Sequence, residues 1–323
     1  MMRHSARAPV CGLKDLALSA RTSGSILFHM KQMLNRLVRQ RAVVTWCCLA
    51  TGSGVVLAQD LPDTLWLHAG EVQLAGDSMP ALRWTTTAVW DSLNVSFGTA
   101  EDTPHEIVLV NQDSVDHQFV LAAPGFEPVA MPAGGAASVS LPGLPAGSYR
   151  YHLGSERGHV LGASGVMVVG FDDLPHYHWN LGDWEPARMA AVAAGGTVDP
   201  DAPYVPRQFT INDRVHPTTM GDPAGHVQIG VGESCYITIV NQGSMDHVLH
   251  FHGFHFEILQ STHHSERIGW TKDTMPFLQG EVTLVRLDAF QAGTYPVHNH
   301  NLIAVTNAGL YPGGMITHLD IAP

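Results

Sequence analysis

Residues 295–305 read YPVHNHNLIAV, with His298 and His300 on either side of Asn299. On an extended strand alternate side chains share a face, with Cα atoms about 6.6 Å apart. Two imidazoles can therefore serve one site while Asn299 faces the other way. A second pair, His250 and His252, flanks Phe251 in DHVLHFHGFHFEIL. Adjacent strands lie about 4.8 Å apart, so two such pairs alternating inward on neighbouring strands bring four imidazoles together. Imidazole suits copper, zinc, iron and nickel, and the affinity order favours Cu(II). The competing reading is four solvated histidines, which has no reason to place both pairs at equivalent points of one domain. Only neutral imidazole binds a metal, so affinity should fall as pH drops below about 6.5.

The elements that must position these residues are strands. Helical periodicity is nearly absent. Short runs rich in β-branched and aromatic residues recur between Gly, Pro, Asn and Asp, such as EIVLVNQDS, SGVMVVG, CYITIVNQG and EVTLVRL. That spacing points to an all-β sandwich or barrel. The one helical pattern is EPARMAAVAA (185–194), and the Gly- and Pro-rich GGTVDPDAPYVP after it reads as a linker.

The chain also repeats itself. VNQDSVDHQFVLAAPGF (110–126) matches VNQGSMDHVLHFHGFHF (240–256), and PAGSYRYHLG (145–154) matches QAGTYPVHNH (291–300). The expected organisation is two tandem β-sandwich domains, 62–170 and 206–323, joined by a linker over 171–205. In each copy an asparagine turn precedes one histidine strand and a Gly-Ser/Thr-Tyr corner opens another.

A basic stretch with Arg36, Arg39 and Arg41 precedes an apolar run from Ala42 to Ala58, ending in VLA before Gln59. This reads as a leader (1–58) with a secretory signal peptide. A membrane anchor is the rival, but the run is short and interrupted by Thr45, Thr51, Gly52, Ser53 and Gly54. The expected product is exported, periplasmic or secreted, with no membrane span. Residues 59–323 hold 28 Asp and Glu against 9 Lys and Arg, and 18 of the 20 histidines. An acidic surface excludes nucleic acid, whose phosphates need basic partners, and attracts cations. Only Cys235 lies beyond the leader, so no intrachain disulfide is expected; its strand context reads as a buried apolar position.

DHVLHFHGFHFEIL resembles the H-x-x-H-x-H-G signature of the multicopper oxidases, and AGTYPVHNH with GGMITHL resembles their closing H-C-H and G-M segment. TINDRVHP and TKDTMPFLQGEVTLVRL are similar to the same domain. The resemblance covers most of 206–323 and extends more loosely over 62–170. It implies two tandem cupredoxin-like Greek-key domains, copper as cofactor, and a homotrimer of the kind formed by small laccases and copper nitrite reductases. Carried over position by position, it puts His247 on a type 1 copper ligand, His250 on a type 2 ligand, and His252, His298 and His300 on type 3 ligands. Asn299 falls where the family has the type 1 cysteine, and Ala304 where it has a second type 1 histidine. In the first copy His152 matches His298, while Val120, Ala122 and Gly154 stand at other ligand positions and Leu153 at the cysteine.

The resemblance therefore implies copper at His250, His252, His298 and His300, with His152 and His247 as weaker candidates and the blue copper site degenerate. Three functions follow. One is an oxidoreductase using type 2- or type 3-like copper and an external electron donor. Another is a copper-binding or copper-tolerance protein without turnover. The last is a structural cupredoxin module, which has no need of two intact H-x-H pairs. His176 and His178, in the connecting segment, read as interface residues or a second metal site. His255, His263 and His264 read as solvent-facing, Met315 as core.

Overall fold

The computed structural model describes residues 59–323, so the expected leader lies outside the described residues. Four sheets form two sandwiches. In the first, one sheet runs β1 (Gln59–Asp60), β4 (Phe97–Thr99), β10 (Ser164–Val169), β9 (Gly147–Leu153), β6 (His117–Leu121), β7 (Val129–Met131). Its partner runs β3 (Asp77–Thr85), β2 (Thr64–Leu74), β5 (His105–Asn111), β8 (Ala136–Leu141). In the second, one sheet runs β12 (Gln208–Ile211), β11 (His176–Trp184), β14 (Ser234–Asn241), β19 (Val282–Asp288), β16 (Phe256–Ser261), β17 (Thr271–Lys272). The other runs β13 (Val227–Gly230), β21 (Ile316–Ala322), β20 (Gly293–Asn299), β15 (His247–Phe251), β18 (Thr274–Phe277). Two short helices, α1 (Glu156–Val160) and α2 (Pro186–Ala193), complete the described elements with three 3₁₀ turns.

Period-two alternation explains why these segments are strands. On β15, His247, Leu249 and Phe251 are buried while Val248 and His250 are half-buried. Each buried Leu or Phe contributes roughly 1.5–3 kcal/mol relative to exposure. The two sandwiches have separate apolar cores, one around Trp84, Phe119 and Tyr151, the other around Trp179, Phe251 and Phe277.

The repeat is visible in hydrogen bonds. Asn111 donates Nδ2 to the carbonyls of Val115 and Met131 and accepts from the Asp113 amide through Oδ1. Asn241 makes the same set with Met245, Phe277 and Gly243. The corner tyrosines also correspond: Tyr149 donates to the Pro145 carbonyl and Tyr295 to that of Ala292.

The expected linker over 171–205 is largely not a linker. It contains β11, which pairs in parallel with β14, setting Leu181 opposite Asn241, as β2 pairs in parallel with β5, setting Leu67 opposite Asn111. The second sandwich thus starts at His176. Sequence reading stopped short because HYHWNLGDW has almost no polar alternation: eight of its nine residues are buried. The expected helix is present as α2, one residue shorter at each end. Its Met189 and Val192 pack into the first core, and Arg157 donates to the carbonyls of Val192 and Ala193.

The sandwiches meet where β9 and β10 face β14 and β19. Val166, Val168, Val240 and Val282 form a buried cluster there. Ser148 hydrogen bonds Thr238 through its hydroxyl (2.6 Å) and Gln260 through both backbone groups. The outer face of the β14 sheet is therefore covered by the first sandwich.

Replacing Asn241 with Ala removes its hydrogen bonds to the Met245 and Phe277 carbonyls and from the Gly243 amide. A loss of about 3 kcal/mol is expected, read as a lower urea midpoint at an unchanged denaturant slope.

Candidate metal centre

The register of β15 and β20 builds the site. They pair antiparallel with His250 directly opposite His298. His252 and His300 each follow their strand's last residue and continue its alternation onto the same side. Ring centroids are 4.7 Å apart for His250 and His252, 5.1 Å for His252 and His298, and 5.8 Å for His250 and His298. His300 lies 6.1 Å from His250 and 6.4 Å from His298. The histidines point outward from the sandwich rather than inward, because the odd-numbered partners take the core: Leu249, Val297 and Asn299 are fully buried and Phe251 nearly so.

Nε2 of His252 and Nε2 of His298 approach to 3.0 Å. Two ligands with metal–nitrogen bonds of about 2.0 Å at a tetrahedral angle stand about 3.3 Å apart, so this spacing is close to a bidentate bite. The remaining ring nitrogens are held from behind. His298 donates Nδ1–H to the Asn299 carbonyl (2.9 Å), which fixes its tautomer and leaves Nε2 bare. His250 meets the Thr274 hydroxyl through Nδ1 at 2.7 Å. Such outer partners orient metal-bound imidazoles. Burial, then the neighbouring His250 and His298, holds the His252 imidazole below its ordinary pKa, so it is neutral and ligand-ready. Among the described residues, no three His, Cys, Asp or Glu side chains are already drawn into a finished metal cage. The four rings form an open, convergent set of nitrogen donors, which fits a borderline transition ion such as copper.

On the opposite face of β20, Asn299 occupies the core. Its Nδ2 donates to Nδ1 of His247 (3.0 Å) and to Sδ of Met315 (3.3 Å), and its Oδ1 accepts from the Asn301 amide. Nε2–H of His247 donates to Asp183 Oδ2 at 2.9 Å. Both nitrogens of this fully buried ring are therefore engaged. Burial alone would raise the Asp183 pKa, but hydrogen bonds from His247, Tyr204 and the Ser244 amide hold it below the usual range.

Sequence reading missed Asp183, Tyr204 and Thr274. A signal for Asp183 existed in the repeat. In the first copy His117 pairs with Asp113 of its own turn, at 2.9 Å; the matching residue of the second copy is Gly243. A side chain at Gly243 would overlap the Asp183 carboxylate. The missing turn carboxylate is replaced by one from β11.

The other expected residues fall elsewhere. His152 shares a face of β9 with Ser148 and Arg150, the face that meets β14 and β19. It donates Nδ1–H to the Leu153 carbonyl, and its pKa, lowered to about 4 by burial and then Arg150, also responds to His159. Within one chain it therefore lies across the C-terminal sandwich from the four imidazoles. His176 is buried against Thr238 (2.9 Å) at the junction of the sandwiches. His178 lines a cleft of about 390 Å³ with Arg214 and Asp222. His255 is exposed, His264 pairs with exposed Glu266, and Cys235 and Met315 are fully buried.

Residues 199–312 match the family model for the multicopper oxidases. No curated protein matches by sequence. Among solved structures, the chain is similar to a blue copper oxidase from Nitrosomonas europaea, with TM-score 0.66 and 19% identity over 80% of this chain and 85% of that one. The multicopper oxidase mgLAC gives TM-score 0.65 at 19% identity, again over 80% and 85%. A copper nitrite reductase from Nitrosomonas europaea gives TM-score 0.60 at 17% identity over 82% and 94%. The fold is the all-β cupredoxin type of these proteins. The match to the multicopper oxidase model is confined to 199–312, and copper is the cofactor that this match implies for that segment.

The His176 pKa is lowered from 6.5 to about 4, chiefly by burial. The unfolded chain takes up this proton below its ordinary value, the folded chain only near 4. Stability is therefore complete above pH 6.5 and is lost as pH falls towards 4. Replacing His176 with Gln should flatten this slope in urea melts recorded across that window.

Proposed function

We propose that the protein is an exported copper-binding oxidoreductase of multicopper oxidase lineage, with His250, His252, His298 and His300 as ligands and no type 1 copper. The observation that carries this reading is the 3.0 Å approach of the His252 and His298 Nε2 atoms, with His250 opposite His298 in the strand register. Bound copper supplies one-electron chemistry. The four imidazoles hold it, the Asn299 carbonyl and Thr274 orient two of them, and the acidic surface favours cation entry. Asn299 stands at the cysteine position, and its amide bridges His247 and Met315, so no thiolate receives electrons there. Electrons come instead from an external donor or a substrate at the exposed imidazoles. The same bridge favours a second reading, copper binding without turnover.

Export rests on the apolar leader. Among the described residues no helix is long and apolar enough to cross a membrane. A homotrimer is supported by the repeat. β20 and β21 present outward the counterpart of the face that β9 and β10 bury, since His298 opposes Ile316 as His152 opposes Ser164. On β5, Val108 is partly exposed where its counterpart Thr238 is buried. Two complementary unpaired faces on one chain make a head-to-tail contact that can close into a ring.

Copper quantitation with electron paramagnetic resonance on residues 59–323 tests the site. One or two coppers per chain are expected, without intense blue thiolate absorption. Replacing His298 and His300 with Ala should remove most of the copper. Unchanged copper content would move the site, and a strong blue colour would overturn the Asn299 assignment. Turnover with a reducing substrate separates the two readings. Light scattering on the same sample should give three protomers.

A further inference from the structure

His252 and His298 line a cavity of about 380 Å³. Its lining also includes two imidazoles that belong to neither H-x-H pair, His216 and His318, with Leu302 and Tyr311. His318 lies on β21, opposite Pro296 on β20. His216 follows β12, with its amide bonded to the Gly314 carbonyl and its carbonyl accepting from Asn307 Nδ2. Both rings thus stand on fixed backbone. Their centroids are 6.3 Å apart and their planes nearly perpendicular, a spacing within the range of the first four imidazoles.

Nδ1 of His216 and Nδ1 of His318 are both buried without a hydrogen-bond partner among the described residues. Asp320 follows His318 by two residues on the same face of β21, and its Oδ2 lies 2.8 Å from His226 Nε2 at ion-pair distance without hydrogen-bond alignment. Buried polar atoms are almost always satisfied, so two unpartnered imidazole nitrogens on neighbouring rings mark a place where a ligand supplies the bonds. Two imidazole nitrogens with a carboxylate close behind suit a divalent first-row ion of borderline softness.

We propose that His216 and His318 form a second metal site, distinct from that of His250, His252, His298 and His300, for a divalent ion of the Cu(II) and Zn(II) type. An ion with metal–nitrogen bonds of about 2.0 Å can be shared by two rings at this separation after a small rotation of either. Asp320, paired with His226, supplies negative charge beside it, and the cavity leaves the remaining coordination positions open. Burial lowers the pKa of both His216 and His318; His318 lowers that of His216 further, while at His318 the Asp320 carboxylate offsets part of the shift, and the net direction at both favours the neutral, ligating form. The site stands on its own residues and holds whether or not the first one turns over.

Zn(II) titration of the metal-free chain (residues 59–323), followed by calorimetry and by metal analysis after gel filtration, tests this. The double variant His216→Gln with His318→Gln should bind one equivalent fewer than the parent. The variant His298→Ala with His300→Ala should keep that equivalent. His318→Gln alone, which leaves the His216 backbone anchor intact, should weaken it at least tenfold. Circular dichroism melts identify any variant that has not folded. Should the folded double variant and the folded single variant bind as many equivalents as the parent at unchanged affinity, the second site does not exist. Copper content unchanged by His298→Ala with His300→Ala, with this zinc equivalent retained, would sink the proposed function alone.

Discussion

The structure depends on one strand register. Because β15 and β20 run antiparallel with His250 facing His298, every odd-numbered neighbour is committed to the core and every even-numbered histidine to the outer face. A slip of one residue would exchange the two sets. It would turn the four imidazoles into the core and expose Leu249, Phe251 and the Asn299 network. The apolar residues between the histidines are therefore part of the site. The burial of Leu249, Phe251 and Val297 is what holds the imidazoles in place.

The two copies of the repeat solve the same problem with different atoms. Each needs a carboxylate against the buried histidine that opens its strand. The first takes it from Asp113 in the turn, the second from Asp183 on β11, with Gly243 leaving the room. The asparagine that organises the turn is unchanged, because it satisfies two carbonyls and an amide at once. The backbone geometry is thus preserved by an asparagine with three hydrogen bonds to backbone groups, while the charge has moved between elements.

Much of this was legible in the residues. The alternation around Phe251 and Asn299 placed four imidazoles on one face, and the paired VNQ and Gly-Ser/Thr-Tyr segments revealed the doubled sandwich. What was not legible has physical causes. HYHWNLGDW is buried on both faces and carries no alternation, so the start of the second sandwich was read as linker. The direction of the histidines was misjudged because period-two alternation tells which residues share a face, not which face meets the core. His152 matches His298 in sequence but lies across the C-terminal sandwich from it, because the first sandwich packs β9 against β14 and β19. Asp183 and Thr274 reach their histidines from separate strands, and no local pattern predicts such a meeting.

Helix α2 leaves the second sandwich after β11, inserts Met189 and Val192 into the first core, and returns as β12. The chain is laced: a segment topologically owned by one half is an integral part of the other half's interior. Proteolysis or truncation at the boundary near residue 171 cannot yield two independent modules, because the amino-terminal piece would be missing two apolar plugs and the carboxy-terminal piece would display them to water. The halves should melt as one cooperative body, and during synthesis the first cannot finish packing until the ribosome has delivered the opening strand and helix of the second.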